Sequence, residues 1–125
     1  MLQQISDSEL ELMKIIWRND GSALYASIMS ELERQGCEWK KNTVLTLLSR
    51  LVDKKFLSTN KIGRRNEYTT LLSEADYLST QTKNFLEKVY EGDVKGLIST
   101  LIQQDILSSD DLEKLQAYWR GKLNE

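Results

Sequence analysis

The sequence predicts a mainly α-helical protein with one small β-hairpin: three helices and the hairpin come first, and three more helices follow. Three observations predict this class. Apolar residues recur at helical spacing from Ser6 to Lys55 and from Ser73 to Trp119. Between Phe56 and Thr70 the pattern changes to that of short strands. The 125 residues contain no Pro, which favours helices over loops.

The first helix begins at a capping box, Ser6-x-x-Glu9, in which two side chains satisfy the free backbone groups of a helix start. Four apolar residues then follow at spacings of three and four: Leu10, Met13, Ile16 and Trp17. This spacing gives the helix one apolar face. The turn at residues 19–21 ends it.

The second helix is predicted to begin between Ser22 and Tyr25 and to end at Gln35-Gly36. The third, from about Lys41 to Lys55, has an apolar and a polar face. Its inward residues are Val44, Leu47, Leu48, Leu51 and Val52. Its opposite face carries Asn42, Thr43, Thr46, Ser49, Arg50 and Lys54.

The hairpin consists of two short strands between Phe56 and Thr70, joined by a loop that contains Gly63. Three cations lie at or near its tip: Lys61, Arg64 and Arg65. Three helices followed by a basic hairpin are the outline of a winged helix-turn-helix. In that fold one helix enters the DNA major groove and the hairpin, or wing, contacts phosphates.

The last three helices are predicted to begin at Ser73, near Val94, and at Ser108 or Ser109. Their apolar faces are broader than so small a unit can bury, which predicts a partner, most simply an identical chain. The residues expected at this contact are Phe85, Val89, Tyr90, Val94, Leu97, Ile98, Leu101, Leu112, Leu115 and Trp119. We therefore predict a winged-helix domain over residues 1–72 and a helical dimerisation domain over residues 73–125.

The charge distribution indicates where a polyanion binds. Residues 34–66 carry nine Lys or Arg and only two acidic residues, a local charge of +7, whereas the whole chain has a formal charge of -2. Leu residues lie among these cations, so the basic segment is folded rather than a tail. The cations are expected to form one ridge that fits double-stranded DNA.

Several residue types are missing, and their absence excludes some kinds of chemistry. Without His, the chain has neither a His-based acid–base catalyst nor a His-containing zinc motif, and its six Gly do not form a phosphate loop. Cys37 is the only cysteine. We therefore expect no enzyme activity, metal or cofactor. Since no segment has the length of a membrane span or the pattern of a signal peptide, we expect a cytoplasmic protein that does not insert into membranes.

Three blocks of sequence resemble the penicillinase and methicillin-resistance repressor family, which also includes copper-responsive repressors. The blocks are ELELMKIIW at residues 9–17, EWKKNTVLTLLSRLVDKKFL at 38–57 and NFLEKVYEGDVKGL at 84–97. The resemblance implies a homodimeric transcriptional repressor that binds a palindromic operator. It also implies a recognition helix from Lys41 to Lys54 for the major groove.

The resemblance implies roles for individual residues as well. Thr43 and Thr46 would contact bases or nearby phosphates, with Asn42 beside them, and Leu45 stands where relatives often have a basic residue, so it would offer an apolar contact to a thymine methyl. The cations implied to hold the DNA backbone are Lys40, Lys41, Arg50, Lys61, Arg64 and Arg65.

Regulation in the family suggests further expectations. Resistance members are cleaved at an Asn-Phe bond after a membrane sensor protease is activated, and the matching position here is Thr100-Leu101. The copper branch has a Cys-x-Cys pair near its C terminus, which this chain lacks. Two alternatives remain: a winged-helix regulator that responds to a small molecule, and a winged-helix adaptor that binds another protein.

Overall fold

Six helices and three short strands follow one another along residues 3–123, the part of the chain that the computed structural model describes. In chain order they are α1 (Asp7–Arg18), β1 (Ser22–Leu24), α2 (Tyr25–Arg34), α3 (Lys41–Asp53), β2 (Leu57–Ile62), β3 (Arg65–Thr70), α4 (Glu74–Tyr90), α5 (Val94–Gln103) and α6 (Ser109–Leu123). The chain divides into two compact units, one up to Leu78 and one from Ser79.

The three strands form one antiparallel sheet in the order β1-β3-β2. Strand β1 was not predicted from the sequence, where residues 22–24 were included in the possible start of α2. Three residues are too short to show a strand period, and only the pairing of Ala23 with Tyr68 makes them a strand. The predicted hairpin is present as β2 and β3, and β1 pairs with the outer side of β3.

The core of the first unit is formed by α1, α2, α3, the sheet and the first residues of α4. Its fully or nearly fully buried side chains are Leu12, Met13, Ile15, Ile16, Ala23, Ile28, Leu32, Val44, Leu47, Leu48, Leu51, Phe56, Leu57, Tyr68 and Tyr77. The buried face of α1 differs from its predicted stripe. Leu12 and Ile15 are buried although they were not predicted to be, and the predicted Leu10 and Trp17 are only half-buried. This helix packs against α2, α3 and the sheet, so it is covered from more than one side.

A buried ion pair joins the start of α1 to the end of α3. Glu9 is only 2% exposed, and its Oε1 atom lies 2.9 Å from Nζ of Lys54. The same Nζ donates to the carbonyl oxygen of Gln4 at 2.9 Å. The predicted capping box is present, since Ser6 and Glu9 exchange hydrogen bonds of 3.0 and 3.1 Å. Helical spacing predicted Lys54 on the polar face of α3, but in the structure this cation links the start of α1 to the end of α3.

We expect Glu9→Gln to lower the stability of the first unit in a pH-dependent way. Burial raises the pKa of Glu9. The hydrogen bonds from the backbone N–H of Ser6 and from the ammonium of Lys54 together lower it by more, so the pKa lies below its ordinary value of 4.5. A lowered pKa contributes stability that is present above the ordinary value and is lost as the pH falls through the lowered one.

At neutral pH, Glu9→Gln should therefore cost roughly 1 to 3 kcal/mol of unfolding free energy. Urea denaturation at several pH values should show the difference from the unaltered chain shrinking below pH 4.5. Glu11→Gln is the matched control, because Glu11 is half exposed and lies 3.8 Å from Lys14. A constant difference at every pH would contradict this account of the pair.

Helix α3 ends in a Schellman motif, in which the residue after the C-cap adopts a left-handed conformation. Lys55 has φ +68°. The N–H of Phe56 donates to the carbonyl of Leu51 at 3.0 Å, and that of Lys55 donates to the carbonyl of Val52 at 3.1 Å. Glycine adopts this conformation without strain, whereas a side chain makes it costly.

We expect Lys55→Gly to raise the unfolding free energy by about 0.5 to 1 kcal/mol, because glycine removes the strain at this position. Chemical denaturation would measure the gain. Lys14→Gly makes the same substitution in the right-handed middle of α1 and should lower stability instead, by about 1 kcal/mol. Equal effects of the two substitutions would show that the conformation of Lys55 is not strained.

The second unit has a different character. Among its described residues, 79–123, none of the side chains of α5 or α6 is buried. The rings of Phe85 and Tyr90 lie 5.9 Å apart on α4. Across residues 3–123, no helix combines the length and the apolar character that crossing a membrane requires.

Candidate nucleic-acid interface

The exposed face of α3 carries most of the side chains predicted to contact DNA. Lys40 is the N-cap residue of the helix, and Lys41, Asn42, Thr43, Thr46 and Arg50 are all exposed. A shallow groove of about 310 Å³ runs along this face, lined by Asn42, Thr43, Thr46, Leu47 and Arg50. Leu47, which is nearly buried in the core, also forms part of the lining of this groove.

The start of α3 is built to accept an anion. Serine or aspartate side chains cap α1, α4, α5 and α6, at Ser6, Ser73, Asp93 and Ser108 respectively. Helix α3 has Lys40 at its N-cap, no capping side chain and no acidic residue in its first turn. Cations at this end oppose the helix dipole, at a cost of about 0.3 to 1 kcal/mol each. A bound phosphate would reverse that cost, because it meets both the cations and the free N–H groups.

The hydroxyl group of Thr46 can accept a hydrogen bond from a ligand but cannot donate one. Its Oγ1 donates to the carbonyl oxygen of Asn42 at 2.9 Å, one helical turn earlier. The hydroxyl hydrogen is thus committed inside the helix, and the lone pairs and the methyl group remain available. Such a threonine can accept from an adenine or cytosine amino group or pack against a thymine methyl.

Two other residues of α3 predicted to contact DNA, Leu45 and Arg50, differ in how exposed their side chains are. Leu45 is half-buried, so only part of its side chain is available for the apolar contact predicted for it. Arg50 is exposed, and within residues 3–123 it forms no ion pair. Its guanidinium group is therefore free to meet a phosphate.

Two of the nine cations of residues 34–66 are paired with carboxylates. Lys54 is paired with Glu9, and Arg34 holds Glu31 with two hydrogen bonds, of which the Nε to Oε2 bond is 2.9 Å. The hydrogen bond from Arg34 also lowers the pKa of Glu31. The remaining cations are exposed: Lys40, Lys41, Arg50, Lys55, Lys61, Arg64 and Arg65.

The cations of the wing lie on both of its faces. Lys61 is opposite Asn66, and Ile62 is opposite Arg65. Cross-strand partners share a face, and neighbours along a strand alternate, so Lys61 and Arg65 point to opposite sides. Residues 60–65 are all exposed, which means that neither face is covered near the tip.

Large apolar side chains are also exposed in the second unit. Phe85, Val89, Val94, Ile98, Leu115 and Trp119 are between 41% and 58% exposed, and Tyr90, Leu97, Leu101 and Leu112 are half-buried. Side chains of α5, α6 and their connection line an apolar cavity of about 410 Å³: Ile98, Leu101, Leu107, Leu112, Leu115, Gln116, Trp119 and Arg120. We name these exposed and lining residues together the apolar face.

The Thr100-Leu101 bond, which the sequence resemblance predicts as a cleavage site, is held in place by hydrogen bonds at the end of α5. Thr100 donates through Oγ1 to the carbonyl of Gly96 at 3.0 Å. The carbonyl of Leu101 accepts from the backbone N–H groups of Ile106 and Leu107 at 2.9 and 3.0 Å. A protease could reach the Thr100-Leu101 bond only after the end of α5 had unwound.

Cys37, in the α2–α3 connection, is a free thiol that is half-buried.

Comparisons with known proteins point to one family. The family model for the penicillinase repressor matches residues 5–121. A penicillinase repressor of Bacillus licheniformis is 33% identical over 114 residues, which cover 91% of this chain and 88% of that protein. The methicillin resistance regulatory protein MecI of Staphylococcus aureus is 34% identical over 116 residues, which cover 90% of each.

Two solved structures resemble the N-terminal part of the fold. The solution structure of the DNA-binding domain of the repressor BlaI has a TM-score of 0.54 and 39% identity, and it covers 62% of this chain and 92% of its own. The Bacillus licheniformis BlaI monomeric form in complex with the blaP half-operator has a TM-score of 0.52, with the same identity and coverage. The predicted fold class, mainly helical with a small wing, is confirmed.

Proposed function

We propose that this chain, which belongs to the penicillinase repressor family, represses transcription by binding double-stranded operator DNA as a homodimer. The family is one of repressors rather than enzymes, and the family membership predicted from the three sequence blocks is confirmed. Helix α3 would enter the major groove and the wing would contact the backbone. Occupation of the operator would block access of the polymerase in the cytoplasm.

The observation that carries the DNA proposal is the start of α3. This helix has two exposed cations, Lys40 and Lys41, at a start that lacks both a capping side chain and an acidic residue. Helix α2 also lacks both, but it has Leu24 and Tyr25 at its start, so the cations are what distinguish α3. A local rule of helix stability is broken at an exposed position, and this is typical of functional sites. The relative solved with a blaP half-operator supports DNA as the ligand that the cations meet.

The apolar face supports the homodimer. A monomer in water rarely leaves so many large apolar side chains together on its surface, and an identical chain can cover the face symmetrically. A dimer would place two α3 helices in successive major-groove faces of a palindrome, about one or two helical turns apart. Loss of the dimer would leave each monomer with half the contacts, and this is how we propose that repression is relieved. A sensor protease pathway could act at Thr100-Leu101 after local unwinding of α5.

The direct test of DNA binding is a fluorescence-anisotropy titration of the intact chain on double-stranded DNA at several salt concentrations. If each protomer neutralises about four phosphates, log affinity should fall with log salt at a slope on the order of -7. Affinity that does not change with salt, or no binding to any duplex, would refute the proposal and would favour a protein-binding adaptor instead.

We also expect two sets of variants to separate phosphate contacts from base contacts. Arg64→Ala combined with Arg65→Ala should weaken binding to every duplex by a similar factor, because phosphates carry no sequence. Thr46→Ala should weaken only the cognate duplex, by about 1 to 3 kcal/mol. Ser49→Ala is the matched control, since Ser49 is a neighbouring exposed hydroxyl of α3 outside the groove. The assignment fails if both sets leave the affinities unchanged.

The cavity of the apolar face favours a second candidate function, a repressor that responds to a small apolar molecule. The cavity, of about 410 Å³, is large enough for such a ligand. A ligand that fills it would compete with dimerisation and release DNA. A thermal-shift screen of small apolar compounds against the intact chain would test this candidate, and a hit should also shift the monomer–dimer equilibrium.

A further inference from the structure

We propose that the ion pair of Glu9 and Lys54 sets the rotation of α3 about its own axis, so that Thr43 and Thr46 face the bases of bound DNA. Lys54 is then a positioning residue, which acts through the orientation of α3 and does not itself touch DNA. The inference rests on the proposed function, because it states how the DNA-reading helix is held.

The rotation of α3 matters because contacts to bases depend on small distances. A rotation of about 20° moves a side-chain tip that lies about 5 Å from the helix axis by about 2 Å, and a hydrogen bond to a base is lost over such a distance. The attraction between cations and phosphates reaches about 10 Å and changes much less. A device that sets the rotation therefore affects which sequence is bound more than it affects binding to DNA in general.

Apolar packing holds α3 in the core but fixes its rotation less sharply. The buried side chains of the helix are all apolar: Val44, Leu47, Leu48 and Leu51. Hydrophobic contacts are non-directional, and a core of this kind loses its unique arrangement before it loses stability. Directional restraint comes from Lys54, whose ammonium donates hydrogen bonds to Oε1 of Glu9 and to the carbonyl oxygen of Gln4, each at 2.9 Å.

The position of Lys54 gives this restraint leverage on the rotation. Lys54 is four residues after Arg50, which is four residues after Thr46, and residues four apart are neighbours on one side of a helix. Its partner Glu9 is fixed in turn by the capping box of α1, because Oε1 of Glu9 also accepts from the backbone N–H of Ser6 at 3.0 Å. The pair thus ties the DNA-facing side of α3 to a fixed point on α1.

Stability alone does not account for the pair. Glu9 is buried, and within residues 3–123 its Oε2 atom has no hydrogen-bond partner, which is costly. A buried ion pair is often no more stabilising than two apolar side chains of similar size, because both charges lose their water. What a buried ionic group can provide is one defined arrangement of the elements that it joins.

The test removes both charges from the intact chain in the double variant Glu9→Gln with Lys54→Met. Glutamine serves in a capping box as glutamate does, so the start of α1 is kept. We expect the double variant to remain folded in urea denaturation. Its affinity for the duplex that the unaltered chain selects from a random pool should fall about tenfold, because the base contacts move. Its affinity for a shuffled duplex should stay within about twofold, because phosphates carry no sequence.

Lys55→Met is the matched control. Lys55 is the next cation along the chain, is exposed, and forms no ion pair within the described residues. This variant should leave the ratio of the two affinities unchanged.

Salt dependence separates positioning from direct contact. The double variant should keep the slope of log affinity against log salt. Loss of a phosphate contact would instead reduce the magnitude of that slope by about 0.9 per protomer.

A second measurement needs no variant. The NMR signal of the Lys54 ammonium group should keep its position as the selected duplex is added to the unaltered chain, because the group stays with Glu9. The signal of Lys41, which we propose to hold a phosphate, should shift. This titration decides alone if the double variant unfolds.

Each contrary outcome has a distinct meaning. An unchanged affinity ratio in the folded double variant would overturn the inference, and so would a shift of the Lys54 signal on binding. An equal loss of affinity for both duplexes, with a reduced slope, would make Lys54 a phosphate contact and not a positioning residue. In these cases salt-dependent binding by the unaltered chain leaves the proposed function standing. If the unaltered chain binds no duplex, the proposed function fails and this inference fails with it.

Discussion

Leu115→Glu should convert the proposed homodimer into a monomer and weaken operator binding by about a hundredfold or more. Leu115 is 53% exposed in the single chain, so a carboxylate is hydrated there and the fold tolerates it. In a dimer that buries the apolar face, the same carboxylate would lose its water, at a cost of several kcal/mol. Without the dimer the second half-site no longer binds at high effective concentration, which accounts for the lost affinity.

Sedimentation of the variant would measure the oligomeric state, and anisotropy on a palindromic duplex would measure the affinity. Leu71→Glu is the matched control, since Leu71 is similarly exposed but belongs to the first unit and not to the set of residues named the apolar face. The control should sediment as a dimer. If Leu115→Glu also sediments as a dimer, the apolar face is not the dimer interface.

Phe56→Ala should cost about 3 to 5 kcal/mol of unfolding free energy, a large part of the stability of a small domain. Phe56 is fully buried, and the centroids of its ring and the Tyr77 ring lie 6.0 Å apart in an edge-to-face arrangement. Its carbonyl also accepts from the N–H of Leu71 at 2.9 Å, so the residue joins the end of α3 to the start of the sheet. Removing the ring would leave a cavity at that junction.

Urea denaturation followed by tryptophan fluorescence would measure the loss, because Trp17, one of the three tryptophans, packs beside Tyr77 in the same cluster. Leu71→Ala removes an exposed apolar side chain from a neighbouring position and should cost less than about 1 kcal/mol. Comparable losses for the two variants would mean that Phe56 does not hold the core as described.

Much of the fold could be predicted because local signals were strong. The capping box at Ser6 and Glu9, the apolar spacing of α3 and the glycine at the hairpin tip each have a direct physical consequence, and each is present in the structure. The part of the fold that was missed depends on partners far away in the sequence. Strand β1 exists only because β3 pairs with it, 45 residues later at Ala23 and Tyr68, and no local pattern indicates that pairing.

The candidate site was predictable as a set of residue types but not as a geometry. The sequence identified the exposed face of α3 and the cations of the wing. It could not indicate that Lys54 forms an ion pair with Glu9, because these residues are 45 positions apart. Nor did it separate Lys61 from Arg65, although the alternation of a strand implies their opposite faces once the register is known. The hydrogen bond from Thr46 to Asn42 also depends on a rotamer that a sequence does not specify.

The central claim is that two copies of α3 read one duplex, and selection of DNA from a random pool by the intact chain tests it most directly. We predict that the selected sequences converge on an inverted repeat whose half-sites are about one or two helical turns apart, and that the same selection with Leu115→Glu returns single half-sites. Convergence of the intact chain on an unpaired, non-palindromic sequence, or no convergence at all, would contradict the account.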